Sequence, residues 1–202
     1  SDDIELDKER FIIFFKKFKT SFSYEALGVF EAHTYEIKTG ANLISFPYLY
    51  DDNAVGNVLS SIEDDVTGII GEGVAASQIS PGIWVGSLAN INFEKGYWLK
   101  SNSDIEPTFT GCKIPSTTIY ELNNGSNLVS ASVYNPTSIT DALPDDAELV
   151  INGIIGEGVA ASQIAPFNWV GSLTTLELGK GYWFKADESV SFEFESGDQA
   201  FS

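Results

Sequence analysis

The sequence predicts a mainly β fold (β-rich α+β) with a short helix per repeat, made of two tandem, gapless repeats after an amino-terminal helical segment. Gly68 to Ile79 recurs unchanged as Gly153 to Ile164, and the similarity extends in both directions without an insertion. The repeated parts are rich in Gly, Ile, Val and aromatic residues, with turn residues every 8–12 or so positions, as in short antiparallel strands. The predicted divisions are residues 1–33, 34–118 and 119–202.

The amino-terminal segment, residues 1–33, differs in pattern from the repeats. Apolar residues recur at helical spacing from Ile4 to Phe22, and Lys16, Lys17 and Lys19 are offset from them, which predicts an amphipathic helix. Such a helix can pack on its own repeats, associate with copies of itself or a partner, or lie on a membrane surface. The longest apolar run, residues 11–15, is too short to span a membrane. The lack of methionine predicts a processed or excised chain.

The start of each repeat predicts strands followed by a short helix. Residues 35–47 suggest two short strands around a Gly-Ala-Asn turn, the second ended by Pro47. Asp51 or Asn53 can cap a short helix over residues 55–62, whose apolar spacing is three and four. In the second repeat Pro144 leaves room for barely two turns.

The last strand of the second repeat carries the clearest strand pattern. Val190, Phe192 and Phe194 alternate with polar residues, which predicts a half-buried strand with these three side chains on one face.

Charge and composition exclude several classes of function. The net charge is −18, and residues 1–20 contribute none of it, so twenty-four acids face six lysines in the rest of the chain. Such a surface repels phosphate backbones, so we expect no nucleic-acid partner. One cysteine, Cys112, and one histidine, His33, allow neither an internal disulfide nor a Cys/His zinc site, so we predict no metal and no cofactor. Acid pairs such as Asp51-Asp52 lack EF-hand spacing, which leaves only weak calcium binding open.

A glycine-rich motif defines the repeat. The residues from Gly71 to Ala76 satisfy the dinucleotide-binding pattern Gly-x-Gly-x-x-Gly/Ala, but Pro81 and Gly82 follow too soon for the helix that must face a pyrophosphate. The glycines instead predict a β-bulge or a close backbone approach in both repeats. The repeat-defining residues are Gly71, Glu72, Gly73, Gly156, Glu157 and Gly158.

The same block contains the best candidates for acid chemistry. Glu72 and Glu157 are its only acids, and a glycosidase pair would need both in one site, which only a symmetric interface between the repeats could provide. The alternative is that they hydrogen-bond neighbouring backbone or face the sister repeat. His33 is a poor candidate for a serine triad, because it has no counterpart in the second repeat and Thr118 occupies the matching position. We therefore predict no catalytic residue and no enzymatic activity.

Repeated aromatic residues are candidates for ligand binding. Flat rings with a polar edge can stack on sugars, and the alternative is that they pack in the core and between the repeats. Adjacent strand residues face opposite ways, so Tyr97 and Trp98 cannot both be core residues. The speculative ligand-binding set is Trp84, Tyr97, Trp98, Trp169, Tyr182 and Trp183.

At these residues the chain resembles known repeat modules. The order Asn42-Leu-Ile-Ser-Phe-Pro47, a variable helical stretch, a tryptophan and then Lys95-Gly-Tyr-Trp-Leu-Lys100 resembles β-rich repeats of large bacterial secreted proteins. The Gly-Glu-Gly-Val-Ala-Ala-Ser-Gln-Ile block is similar to repeats in virion-associated proteins of marine cyanobacterial phages. The resemblance covers residues 35–110 and 120–195, although the second repeat lacks the Phe-Pro pair. It implies a virion, extracellular or cell-surface setting, without a defined chemistry.

Two functions are therefore expected. The first is a structural or attachment component of a phage particle or extracellular surface. It would form homo-oligomers, or join other virion or surface proteins, through the amino-terminal segment. The alternative is a carbohydrate-binding module for a ligand such as a host-surface polysaccharide.

Overall fold

The computed structural model describes residues 30–195, and this part of the chain is mainly β, as predicted. Two five-stranded antiparallel sheets dominate, and three small sheets of two or three strands surround them. The predicted amphipathic helix falls on residues outside the described range.

The first large sheet lies in the first repeat and covers one hydrophobic core. Ile69, Ala76 and Leu99 point inward from three of its strands and pack with Phe46 and Tyr97. Its strands, in spatial order, are β2 (Gly40–Ser45), β7 (Gly96–Ser101), β4 (Val66–Gly71), β5 (Val74–Ser80) and β6 (Ile83–Gly86).

The second large sheet has the same strand order and the same register. Leu128 is opposite Trp183 in the second sheet, as Leu43 is opposite Trp98 in the first, and both sheets have register shifts at matching positions. Its strands, in spatial order, are β10 (Gly125–Val129), β16 (Tyr182–Ala186), β12 (Ile151–Ile155), β13 (Ala160–Ala165) and β14 (Asn168–Gly171).

The small sheets close the cores, and they differ between the repeats. Beside the first core β8 (Thr108–Lys113) lies between β3 (Tyr48–Leu49) and β1 (Phe30–Thr34), and all of β1 except Thr34 belongs to the predicted amino-terminal division. In the second repeat, β9 (Tyr120–Leu122) pairs with β17 (Val190–Phe192), and β11 (Thr137–Ser138) pairs with β15 (Thr175–Leu176). Phe192 and Phe194 are buried and Ser191 is exposed, as the alternation predicts.

The start of the first repeat differs from the prediction of two strands around a Gly-Ala-Asn turn. Gly40 to Asn42 already belong to β2, and residues 35–39 contribute only an isolated bridge between Ile37 and Ile105. The side chain of Asn42 makes the turn earlier, because its Oδ1 accepts a bond from the N–H of Lys38 and its amide donates to the carbonyl of Lys38, both at 2.8 Å.

The helices are short, and the predicted caps are wrong. α1 (Val55–Val58) leads into a 3₁₀ turn (Ser60–Ile62), and its N-cap is Ala54, without a side-chain bond. Asn53 instead donates its amide to the carbonyl of Ile91 at 2.8 Å. In the second repeat α2 (Ile139–Ala142) is capped by Ser138, and α3 (Asp145–Glu148) restarts after Pro144.

Candidate functional site

The repeat-defining glycines shape a tight hairpin in each large sheet. Gly71 pairs with Val74, so Glu72 and Gly73 form the turn between β4 and β5, and Gly73 has a φ of +70° that favours glycine. A Cβ at Gly71 would lie 3.2 Å from the Tyr97 ring. The second repeat matches this, since Gly158 has a φ of +70° and a Cβ at Gly156 would lie 3.4 Å from Tyr182. A turn and a close approach thus explain the glycines, while the register shifts lie elsewhere.

The two hairpin glutamates bind backbone amides across the molecule. Glu157 accepts a hydrogen bond from the N–H of Leu43 at 2.8 Å, and Glu72 accepts one from the N–H of Leu128 at 2.9 Å. Each glutamate therefore contacts the outermost strand of the other repeat's sheet. A carboxylate held by a backbone N–H makes a strong, charge-assisted bond, so these acids serve to join the repeats.

Further backbone bonds complete this reciprocal contact, which we call the seam. The carbonyl of Leu43 accepts a hydrogen bond from the N–H of Gly181 at 3.2 Å, and the N–H of Ser45 donates one to the carbonyl of Gly179 at 2.9 Å. On the other side the N–H of Ser130 donates to the backbone carbonyl of Glu94 at 3.1 Å. The seam therefore covers the edges of β2 and β10 that face away from their own sheets. Uncovered, the free N–H and C=O groups of such edges could pair with another chain.

The Lys-Gly-Tyr-Trp motif owes its glycine to the seam. A Cβ at Gly96 would lie 2.8 Å from the carbonyl oxygen of Val129, and a Cβ at Gly181 would lie 2.8 Å from that of Ile44. Any side chain there would push the two backbones apart. Leu43 and Leu128 are buried and lie against Gly181 and Gly96, respectively.

The two tyrosines of the aromatic set lie inside the cores. Tyr97 is 2% exposed and Tyr182 is 3% exposed. Their hydroxyls accept bonds from the N–H groups of Asn92 and Glu177, each at 2.9 Å. Burial raises the pKa of both tyrosines to about 12. Neither ring face is open to a sugar.

The four tryptophans divide into two pairs. Trp84 and Trp169 are half-buried and pack against the cores. Trp98 and Trp183 alternate with inward-pointing neighbours, so they lie half-buried on the outward faces, opposite Ile70 and Ile155 on the adjacent strands. Only this second pair has its rings outside the cores.

Each repeat also exposes an apolar surface that the motif search missed, and we call these two surfaces the hairpin patches. The β5–β6 and β13–β14 hairpins supply most of their side chains, which are 43–66% exposed. A sequence signal does mark them, since residues 73–93 and 158–176 contain no charged side chain. The first patch comprises Ile70, Ile79, Ile83 and Val85, and the second comprises Ile155, Ile164, Phe167 and Val170.

His33 lies where the first repeat meets the second. Its ring packs edge-on against Tyr35 at 4.5 Å between centroids and stacks near Tyr48 at 6.4 Å. A Cβ at Gly179 would overlap its Nε2, so the ring touches the turn of the other repeat. Burial first, and the charge of Lys180 second, lower the pKa of His33 from its usual value.

Within residues 30–195, no three His, Cys, Asp or Glu side chains are grouped so that they could hold a metal ion. Cys112 is a free, half-buried residue of β8. No helix in the described range is long and apolar enough to cross a membrane.

No protein-family model, no curated protein and no solved structure matches the chain.

Proposed function

We propose that the chain is a non-enzymatic structural or attachment component of a phage particle or an extracellular surface. In this proposal it consists of two tandem copies of one module, residues 34–118 and 119–202. The observation that carries the proposal is the seam, because the glutamates of the identical block hold the two repeats together.

Two copies of one module account for the architecture. The large sheets have the same strand order, register and positions of irregularity. Glu72 and Glu157 exchange equivalent bonds with Leu128 and Leu43, as in an isologous contact between identical subunits. The repeats thus behave as a dimer joined into one chain.

The glutamine of the identical block is also committed to the fold. The amide of Gln78 donates to the carbonyls of Glu63 and Val66, and its Oε1 accepts from the N–H of Gly82 at 2.8 Å. Gln163 likewise donates to the carbonyl of Glu148 at 3.0 Å. An enzyme would direct such repeated polar groups into a cleft, whereas a structural module uses them to hold turns and helices.

The setting of the component follows from its charge and its amino terminus. The strongly acidic surface suits an exposed particle or cell surface, and it disfavours contact with nucleic acid. The Phe-rich segment of residues 1–33 is proposed as the element that attaches the chain to other virion and surface proteins. This role rests on its sequence pattern alone.

Immunogold labelling tests the setting. Antibodies raised against the purified full chain should label the outside of intact particles or cells of the source, and antibody pre-adsorbed with the chain should not. Label confined to the interior of lysed or sectioned cells would contradict the proposal.

A second candidate is carbohydrate binding, which the outward position of Trp98 and Trp183 favours. Intrinsic tryptophan fluorescence, titrated with a panel of algal and cyanobacterial polysaccharides, should then show a saturable shift. The W98A/W183A variant should lose the shift and keep its circular dichroism spectrum, whereas I119A should keep both. A flat response of the folded wild-type chain would eliminate this candidate.

A further inference from the structure

The hairpin patches lie at the ends of the large sheets that are opposite to the seam. In each sheet the outermost strand on the seam side is covered by the other repeat, whereas β6 and β14 have a strand neighbour on one side only within residues 30–195. Exposed apolar side chains beside such an edge are a site at which another chain can pack.

Charge distinguishes the patches from the remainder of the chain. Residues 73–93 and 158–176 carry no charge, although the chain as a whole has a net charge of −18. Exposed edge strands are usually protected by charged side chains, especially lysine, and these hairpins have none. The repulsion between two such acidic bodies is weakest when they meet through uncharged surfaces.

We propose that the hairpin patches are a self-association surface, at which a patch of one chain packs against a patch of a second copy. A second copy is the occupant that fits, because its own uncharged, apolar hairpin complements the patch and keeps both acidic surfaces apart. This inference deepens the structural role proposed above and rests on it.

The two patches share three of their four side chains and have the same role in this proposal. Ile70, Ile79 and Val85 have identical counterparts, Ile155, Ile164 and Val170, and all six are exposed. Each chain therefore offers two equivalent contacts, which allows assemblies larger than a dimer. A chain with one intact patch can form only a dimer.

Sedimentation velocity of the full chain over a range of concentrations tests the proposal. The wild type should associate beyond the dimer, the single variants V85K and V170K should stop at the dimer, and V85K/V170K should stay monomeric. Lysine is chosen because it lowers the net negative charge, so loss of association cannot be attributed to stronger repulsion between chains. A wild type that remains monomeric up to about 1 mM, or a V85K/V170K variant that associates like the wild type, would overturn the proposal.

Two further variants control for non-specific effects. I119K/L149K places lysines at residues that are 58% and 55% exposed outside the patches, and it should associate like the wild type. If V85K/V170K fails to fold, V85T/V170T replaces it, since threonine keeps the β-branched shape and removes the apolar character. Equal loss of association in I119K/L149K would show a general surface effect and contradict the proposal.

The amino-terminal segment is the rival occupant. The full-length variant F14S/F15S/F18S should associate like the wild type, because the proposed contact does not involve this segment. Loss of association in this variant would assign the contact to the segment and overturn the proposal. The immunogold result does not depend on self-association. If the chain were monomeric but its antibodies labelled particle exteriors, this inference would be wrong and the proposed function would be retained.

Discussion

The indole N–H groups of the matching tryptophans differ in their hydrogen-bond partners. In the second repeat, Trp169 donates its Nε1–H to Glu148 Oε1 at 2.6 Å, and Glu148 is fully buried. In the first repeat the matching indole N–H, that of Trp84, is buried without a hydrogen-bond partner.

Two sequence differences accompany this change of partner. One is Thr140, whose hydroxyl donates to Glu148 Oε1 at 3.0 Å and which matches Val55 in the first repeat, and the other lies in the neighbouring turn. A Cβ at Gly82 would lie 2.9 Å from Oε2 of Glu63, so the carboxylate occupies the space that glycine leaves open. The matching residue is Phe167, which adopts a φ of +62° and brings a Cβ to that space. The carboxylate of Glu148 points inward and is held there by Trp169 and Thr140. The turn residue therefore differs together with the partner of the indole N–H.

A second difference concerns one aromatic ring in each core. In the first repeat Phe46 lies 6.3 Å from Tyr35 and is fully buried, while the second has Ala131 at the matching position. In the second repeat Phe192 lies 5.8 Å from Tyr120, and its counterpart in the first is Pro107. The ring is supplied by the segment after β2 in the first core and by β17 in the second, so the large and the small residue exchange positions.

The largest expected effect follows from this exchange. Phe46→Ala should lower the free energy of unfolding by about 3–5 kcal/mol, because it removes a fully buried ring. Adding Pro107→Phe should restore part of the loss, since the first repeat then has the pattern of the second. Urea denaturation of the two variants measures both effects, with Phe192→Ala and Phe192→Ala/Ala131→Phe as the matched pair. A double variant no more stable than Phe46→Ala would show that the two cores are not interchangeable.

Removal of the seam glutamates should have the next largest effect. Glu72→Ala and Glu157→Ala should each cost about 1–3 kcal/mol, because each leaves a backbone N–H of the seam without its acceptor. Glu36→Ala and Glu121→Ala, which change exposed acids at matched positions, should cost little in the same denaturation assay. Equal costs for the seam and control variants would mean that the seam bonds contribute nothing to stability.

A smaller, local effect is expected at the tryptophans. Gly82→Asn adds a Cβ while tolerating a positive φ, so Glu63 should be displaced toward Trp84 and protect its indole N–H from hydrogen exchange. Phe167→Gly should let Glu148 move away from Trp169, so the indole N–H of Trp169 should exchange faster. Both exchange rates can be read from indole resonances in two-dimensional NMR spectra. Unchanged rates in both variants would show that the turn residue does not select the partner.

The smallest expected effect is a pH dependence at His33, which has no counterpart in the second repeat. The pKa of His33 is lowered, so the unfolded chain binds the proton more readily, and stability should fall as the pH drops from about 6.5 through the lowered pKa. Lys180 is the charged group that opposes protonation, and Tyr35 and Tyr48 contribute neutral rings. Urea midpoints between pH 7.5 and 5 should vary less in His33→Phe and in Lys180→Gln than in the wild type. Parallel profiles would rule out a contribution from His33.

The repeat and its residue types were sufficient to predict a mainly β chain. They also indicated that the hairpin glutamates bind backbone or the sister repeat, because no second acid accompanied either of them. The short-range pattern could not predict that Glu157 binds Leu43, since this contact joins residues far apart in the sequence and depends on how the sheets pack. The caps failed for a similar reason: the tertiary contact of Asn53 with Ile91 outweighed its local propensity. The sequence motifs did not indicate the hairpin patches. Motifs are defined by the chemical groups they contain, whereas the patches are marked by a lack of charged residues.

The seam also affects the order in which the chain can become complete during synthesis. All strands of the first repeat have been synthesised once β8 ends at Lys113. The residues that cover the edge of β2, Glu157 and Gly181, are synthesised later. At about 5–20 residues per second, a ribosome needs roughly 3–14 s to make the intervening stretch. During that interval the edge of β2 in the nascent chain is unpaired and can contact other chains, and the side chain of Leu43 in this strand is exposed. The chain is therefore most exposed to mispairing when its first half has already folded.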